Sequence, residues 1–281
     1  MSNKSIVVTG AAKGIGFATT VHLVALGYQI FAGVRTLADG DALRAACGER
    51  VTPLLLDITD HAQIAAAVTH VHEAIGAVGL NGLVNNAGIA VAGPLEFIPL
   101  AALREQLEVN IVGQVAVTQA FLPLLRQAKG RVINISSMAG RIAGPLTGPY
   151  HASKFALEAL TDSLRCELAP WGVEVVSIQP GVIATPIWET SLARAEAIIG
   201  AMPPLAHRLY GEQMARQMQR ARQNNARGTP PLRVAETVAK ALIAKRPRTR
   251  YCVGLDAHLV VNIIARLPDR WRDWLLLRWG G

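Results

Sequence analysis

Two textures take turns along this chain. Short runs of β-branched and other apolar residues alternate with longer stretches in which apolar residues recur every three to four positions. Lys4 to Thr9 (KSIVVT), Tyr28 to Val34 (YQIFAGV), Val51 to Leu56, the run from Gly82 and Arg131 to Ile135 are of the first kind. Helical spacing follows the first run through Leu26, continues in the stretch carrying His61, His70 and His72, and returns from about Leu100 to Arg126 and from Tyr150 to about residue 168. Strands alternating with helices predict an α/β fold. Beyond residue 186 lie two further helix-like stretches, the second Leu205 to Arg227, then a helix at about 233–245 and a last strand at Arg250 to Gly254.

The ends of the strands carry the chemistry. Gly10-Ala11-Ala12-Lys13-Gly14-Ile15-Gly16 follows the first run and opens a helix. Strand, glycine turn and helix make a phosphate cradle, because glycines let the backbone approach a pyrophosphate and the helix start supplies free amides. The second run ends in Val34-Arg35, where a dinucleotide fold would place an acid on the ribose 2′-hydroxyl. Arg35, with Lys13 opposite, suits a 2′-phosphate instead; the competing reading is two unrelated surface cations. The third run closes on Asp57-Ile58, where Asp57 is either an acceptor for an adenine amino group or the cap of the next helix. The fourth ends in Asn85-Asn86-Ala87-Gly88, whose amides suit tying neighbouring strands together while the small residues leave room for a flat ligand. Asn110, inside a helix where Asn is a mediocre former, holds a kink or holds water. The fifth run ends in Ser136-Ser137. Tyr150 and Lys154, four apart at a helix start, share one face, and an ammonium beside a phenol lowers the phenol's pKa.

Composition narrows the class. Half of the 281 residues (51%) are hydrophobic, as expected of one globular α/β domain spanning residues 1–281. Met1 to Lys4 lead straight into the first strand without a signal-peptide pattern, which points to the cytoplasm. Cys47, Cys166 and Cys252 are odd in number and scattered, so no disulfide framework or zinc site is indicated; core thiols are expected. No uninterrupted apolar run is long enough to span a bilayer. The charge is uneven: residues 1–185 carry 12 Lys and Arg against 13 Asp and Glu, residues 186–281 carry 16 against 7. A basic last third suits an anionic partner such as a phosphorylated cofactor or acidic lipid, and nucleic acid is disfavoured because no reading motif is present.

Taken in order, TGAAKGIG at 9–16, NNAG at 85–88, Asn110, Ser137, YHASK at 150–154 and the turn from Pro180-Gly181 to Thr185 resemble the short-chain dehydrogenase/reductase family over residues 4–185. The segment from Tyr150 onward is most similar to its hydroxysteroid and retinoid branch. The resemblance implies a doubly wound Rossmann sheet of strand order 3-2-1-4-5-6-7 and an NADP(H)-dependent oxidoreductase of secondary alcohols and ketones. It makes Tyr150 the acid or base, with Lys154 tuning it and holding the nicotinamide ribose, Ser137 orienting the substrate oxygen and Asn110 anchoring a water. Gly10, Lys13, Gly14, Ile15, Gly16, Arg35, Asp57, Ile58, Asn86, Ala87, Gly88, Pro180, Gly181, Ile183 and Thr185 join Tyr150 and Lys154 as expected cofactor contacts, and no metal is called for. A homodimer or homotetramer paired through the helices at about 100–126 and 150–168 is the expected assembly.

Residues 186–230 stand where the resembled family has its helical substrate lid. Pro186, Ile187, Trp188, Met202 to Leu205, Leu209 and Tyr210, together with the amphipathic tail at about 256–281, are expected to wall a large apolar pocket for steroid-, retinoid- or long-chain-like substrates. In the tail, Trp271, Leu275 and Trp279 recur at helical spacing beside Arg residues, so it packs on this protein or its twin, or lies peripherally on a membrane. The competing activity is reduction of a 3-oxoacyl thioester; the competing non-enzyme reading, an NADP(H)-binding regulator, does not need the proton-handling set.

Overall fold

The computed structural model describes residues 4–280. Met1 to Asn3, on which the absence of a leader rested, and the side chain of Trp279 lie outside the described residues. Seven parallel strands, β1 (Ser5–Val8), β2 (Gln29–Val34), β3 (Val51–Leu55), β4 (Gly82–Asn85), β5 (Arg131–Ile135), β6 (Glu174–Pro180) and β7 (Arg250–Val253), form one sheet in the order β3-β2-β1-β4-β5-β6-β7. The order is the one expected. It reverses direction between β1 and β4, the switch point at which open parallel sheets bind ligands.

Both faces of the sheet are covered, which is why the strands are continuously apolar. Ile6 and Val8 point to one face, with Ile30, Val34, Ile133 and Ile178, and are covered by α1 (Gly14–Ala25) and α9 (Pro231–Ile243). Val7 and Phe31 point to the other, against α3 (His61–Ile75) and α5 (Gly113–Ala128), which contribute Val71, Phe121 and Leu125. Phe31 and Phe121 are almost fully buried, so truncating either to Ala should cost about 3–5 kcal/mol.

The expected helix at 100–126 is α4 (Leu100–Leu107) joined to α5 by a π-helical turn, Glu108–Val112, that holds Asn110. The span 100–128 is long and apolar enough to cross a membrane by composition, yet its Val117, Phe121, Leu124 and Leu125 are core residues. The remaining helices are α2 (Leu37–Cys47), α6 (Gly148–Leu168), α7 (Ile187–Gly200), α8 (Pro204–Arg227), α10 (Leu255–Asn262) and α11 (Asp269–Gly280). Cys166 is exposed and Cys47 and Cys252 are half-buried, so the cysteines are not the core thiols expected.

The tail turns one face inward and one outward. Val260, Ile264 and Leu276 pack on Met138 and Ile142, just beyond Ser137. Trp271, Trp274 and Leu277 are exposed, as are Leu255, Leu259 and Ile263. The inward residue of α11 is therefore Leu276, and Trp271 of the expected stripe faces solvent.

Candidate active site

A cleft of about 560 Å³ runs along the C-terminal edge of the sheet, from Arg35 at one end to Tyr150 and Thr190 at the other. Every expected cofactor contact lines it except Gly16. Gly16 lies behind the cradle: a Cβ there would stand 2.2 Å from the Gly10 carbonyl oxygen, so its small size serves the close approach of α1 to the turn. Gly10 has φ +62° and a Cβ on it would lie 2.9 Å from the Cα of Ala87. Gly14, with φ +57°, lines the cleft, and a Cβ on it would lie 3.2 Å from Thr185 Cβ, so a side chain there would fill the cradle; this bare backbone fits a dinucleotide phosphate.

The NNAG turn does what its amides suggested. Asn85 Nδ2 donates to Asn134 Oδ1 on β5 (2.9 Å) and to Thr118 Oγ1 on α5 (2.8 Å). Asn86 Nδ2 donates to the carbonyls of Thr9 (2.9 Å) and Gly10 (3.0 Å), while the Thr9 hydroxyl accepts from the amides of Asn86 and Ala87. Three strand ends are thereby locked around the cleft.

At the far end, β5 delivers Ser137 and α6 delivers Tyr150 and Lys154. Tyr150 and Ser137 line the same end of the cleft, and the Ser137 hydroxyl contacts the Pro180 carbonyl (3.4 Å) and accepts from the Ala139 amide (3.1 Å). Lys154 is 6% exposed, and its Nζ donates to the Ile135 carbonyl at 2.9 Å. Burial pulls the Lys154 pKa down to about 8, against an upward pull from Glu158 one turn along α6. The same burial pushes Tyr150 above the ordinary phenol value, the Ser137 hydrogen bond holding it back. Burial thus acts on Tyr150 against the lowering expected from Lys154. A phenol so placed is protonated at neutral pH.

Asn110 is buried and does not line the cleft. Its Oδ1 accepts from the Ile89 amide (2.9 Å), and its Nδ2 donates to the Ile89 carbonyl (3.0 Å) and to Ser153 Oγ (3.0 Å). It holds the π-helical turn against the loop after β4 and against α6. Asp57 accepts from the amide and hydroxyl of Thr59 (2.9 and 2.7 Å), and Asp60, not Asp57, caps α3.

Several residues in or beside the site were not singled out from the sequence. Asp39, in the first turn of α2, lines the cleft beside Arg35 and accepts a 2.7 Å hydrogen bond from the Thr36 hydroxyl. An acid thus stands near the position where the end of β2 offered none. His151 clamps the loop between Ser137 and Tyr150, its Nδ1 paired with the Ala139 carbonyl (3.0 Å) and its Nε2 accepting from the Gly144 amide (3.3 Å). Arg194 of α7 pairs with Glu105 of α4 at 2.7 Å, and both line the cleft. Of the expected apolar wall, Pro186, Ile187 and Trp188 line the cleft. Met202 instead is buried in a separate cluster with Ala206, Met214 and Tyr210, Leu205 and Leu209 are exposed, and no described tail residue reaches the cleft.

A family model described as short chain dehydrogenase matches residues 4–196. Retinol dehydrogenase 5 of Mus musculus is 38% identical, over 99% of this chain and 90% of its own length. The NADPH-dependent 3-dehydrocapnine reductase of Ornithobacterium rhinotracheale is 37% identical, over 95% and 94% respectively. A short-chain dehydrogenase/reductase from Burkholderia phymatum, solved in complex with NAD, superposes with a TM-score of 0.78 at 27% identity, covering 98% of this chain and 95% of that one. The chain belongs to the short-chain dehydrogenase family. It is an oxidoreductase acting on alcohols or ketones, and its family relatives include both an NADPH-dependent enzyme and one solved with NAD.

Proposed function

We propose that this protein is an NADP(H)-dependent ketone reductase and alcohol dehydrogenase acting on lipophilic secondary alcohols and their ketones. The carrying observation is one cleft with Lys13 and Arg35 at one end and Ser137, Tyr150 and Lys154 at the other. Lys13 and Arg35 are exposed cations that would take a 2′-phosphate, and the glycine turn would take the pyrophosphate. Ile183 and Thr185 would hold the carboxamide, and Lys154 the ribose. When bound, the cofactor supplies or accepts the hydride. Ser137 would hold the substrate oxygen, and Tyr150 would give it a proton in reduction or take one in oxidation. At neutral pH the phenol is protonated, the form that reduction requires. Ile187 and Trp188 offer apolar surface, each Å² of ligand buried there contributing about 25 cal/mol.

The test is a panel of ketones and alcohols, graded in size and polarity, assayed with both reduced and both oxidised nicotinamide cofactors by the absorbance of the reduced form. Turnover of bulky lipophilic ketones with NADPH, above that of small acetoacetyl esters, is expected; the reverse ranking would favour the thioester activity.

The outward face of the tail supports a second element of this reading, peripheral attachment to an anionic membrane. Trp271 (70% exposed), Trp274 (53%) and Leu277 (62%) stand outside, with Arg266, Arg270 and Arg278 also exposed. Trp and Leu beside Arg is the composition that lies in a headgroup layer.

A further inference from the structure

The segment from Pro180 to Thr185 runs from the end of β6 to the lid and forms one wall of the cleft. Its backbone is held from several directions. The Gly181 amide donates to the Val253 carbonyl at 2.9 Å, and Thr229, at the far end of the lid, accepts from the Ala184 amide (3.0 Å) and donates to the Val182 carbonyl (2.9 Å). Trp188 Nε1 donates to the Ile183 carbonyl at 2.7 Å. The remaining tie is a carboxylate: Asp256 Oδ2 accepts from the Val182 amide at 2.6 Å.

Asp256 is seated on bare backbone. A Cβ on Gly181 would stand 2.2 Å from both carboxylate oxygens, and one on Gly254, where φ is +99°, 2.4 Å from Oδ1. The carboxylate therefore occupies space that exists only because two glycines flank it, and it makes a charge-assisted bond to an amide of the cleft wall. It belongs to the first turn of α10, outside the region matched by the family model.

We infer that Asp256 is a positioning residue of the oxidoreductase site, a carboxylate on the C-terminal segment that fixes Gly181 to Thr185 in the shape needed at the nicotinamide end. The inference rests on the proposed function for what this wall holds, though not for the geometry of the clamp. A residue that only stabilised the start of α10 would lower stability without touching the wall. A clamp has a selective signature, since without it the Val182 amide loses its partner and the wall is free to shift.

The experiment compares Asp256→Ala, Asp256→Asn, Gly181→Ala and the double variant Asp256→Ala/Gly181→Ala in the full chain. Amide hydrogen exchange over residues 181–186 is measured without ligand, and the dissociation constants of NADP⁺ and NAD⁺ by calorimetry. Asp256→Ala should speed exchange in that segment and weaken the preferred dinucleotide, each by about tenfold, the size of one lost charge-assisted hydrogen bond. Asp256→Asn, whose Oδ1 can still accept from Val182, should recover most of both. Gly181→Ala should reproduce the Ala phenotype by expelling the carboxylate, and should add little once the carboxylate is gone, because the two residues contend for the same space. A lowered melting temperature with exchange at 181–186 and dinucleotide affinity both unchanged would overturn the inference, and so would full additivity of the two substitutions. If Asp256→Ala does not fold, the decision falls to the other single variants: Asn near wild type with Gly181→Ala impaired supports the clamp, and Gly181→Ala at wild-type exchange and affinity rejects it. Failure of the functional reading looks different, since the wild type would then bind neither dinucleotide while the exchange and coupling results still decide the clamp.

Discussion

Lys154 Nζ lies 5.7 Å from the centroid of the Tyr150 ring, turned toward the Ile135 carbonyl at the end of β5. The lysine is thus held by the sheet while its ammonium stands over the phenol ring. Tyr150→Phe removes the proton donor and almost no volume. It should lower kcat by about 10²–10⁴-fold with the dinucleotide dissociation constant unchanged. Retention of a large part of the wild-type kcat would mean that another group supplies the proton.

The two pKa directions give the pH profile a definite sign. Tyr150, raised above its ordinary value, stays protonated through neutral and mildly alkaline pH, so the phenol is present for reduction there. Lys154, lowered to about 8, is charged below that pH and loses its charge above it. The alkaline limb of kcat/KM for reduction should therefore fall near pH 8 and belong to the lysine. Lys154→Arg, charged at all accessible pH, should remove that limb even if the overall rate drops. An unchanged limb in the Arg variant would assign it elsewhere.

Cofactor choice turns on three charges at the other end of the cleft, Lys13, Arg35 and Asp39. Charge-assisted pairs are worth about 1.5–3 kcal/mol each, so two cations should favour NADP(H) over NAD(H) by about tenfold or more. Arg35→Asp should invert the preference. Asp39→Asn should increase it, because the carboxylate repels a 2′-phosphate from the same wall. Equal kcat/KM with both cofactors in the wild type would remove the assignment of Lys13 and Arg35.

The strands and the turns at their ends were legible because each rests on local chemistry, while their order in the sheet came with the family resemblance that those turns carry. Val7 and Phe31 sit in apolar runs and Gly10 and Asn86 in strand-end turns, while Tyr150 and Lys154 are one helical turn apart, so that for this pair proximity in space follows from proximity in sequence. Asp256 and the Glu105–Arg194 pair were not legible, because they meet their partners only after elements distant in sequence pack together, and Asp39 was not legible because it lies past the end of the second strand, in the first turn of α2. The tail misled for a related reason: Trp271 fits a helical stripe, but the helix is rotated so that Leu276 faces Met138 and Ile142. Periodicity defines a face without saying which neighbour it meets. The burial of Tyr150, whose effect opposes that of a neighbouring cation, is likewise invisible in a four-residue spacing.

Substrate size should respond to the lid and not to the tail. Trp188 lines the cleft beside Ile187, whereas no described tail residue does. Trp188→Ala should lower kcat/KM for a bulky ketone by more than for a small one, through loss of apolar contact. Deleting residues 268–281 should leave the ratio between the two substrates unchanged. A ratio altered by the deletion would place the tail at the pocket after all.

The tail's outward face yields the last expectation. Its exposed Trp271 and Trp274 lie on α11, whose inward side is anchored by Leu276, and Arg278 stacks its guanidinium 4.3 Å from the Trp274 ring centroid. A helix held in this way presents its indoles without having to fold on contact, so binding would gain apolar burial without the ordering cost of a disordered anchor. Because the last third of the chain is basic, attraction should be stronger to anionic lipid and should weaken with salt. The full-length protein should co-sediment with vesicles containing phosphatidylserine, much less with phosphatidylcholine alone, and Trp271→Ser/Trp274→Ser should abolish sedimentation while leaving turnover of a soluble ketone intact. If the wild type does not sediment, and the double variant instead converts a dimer to a monomer in gel filtration, the face is covered by a second copy of the chain and the membrane reading fails.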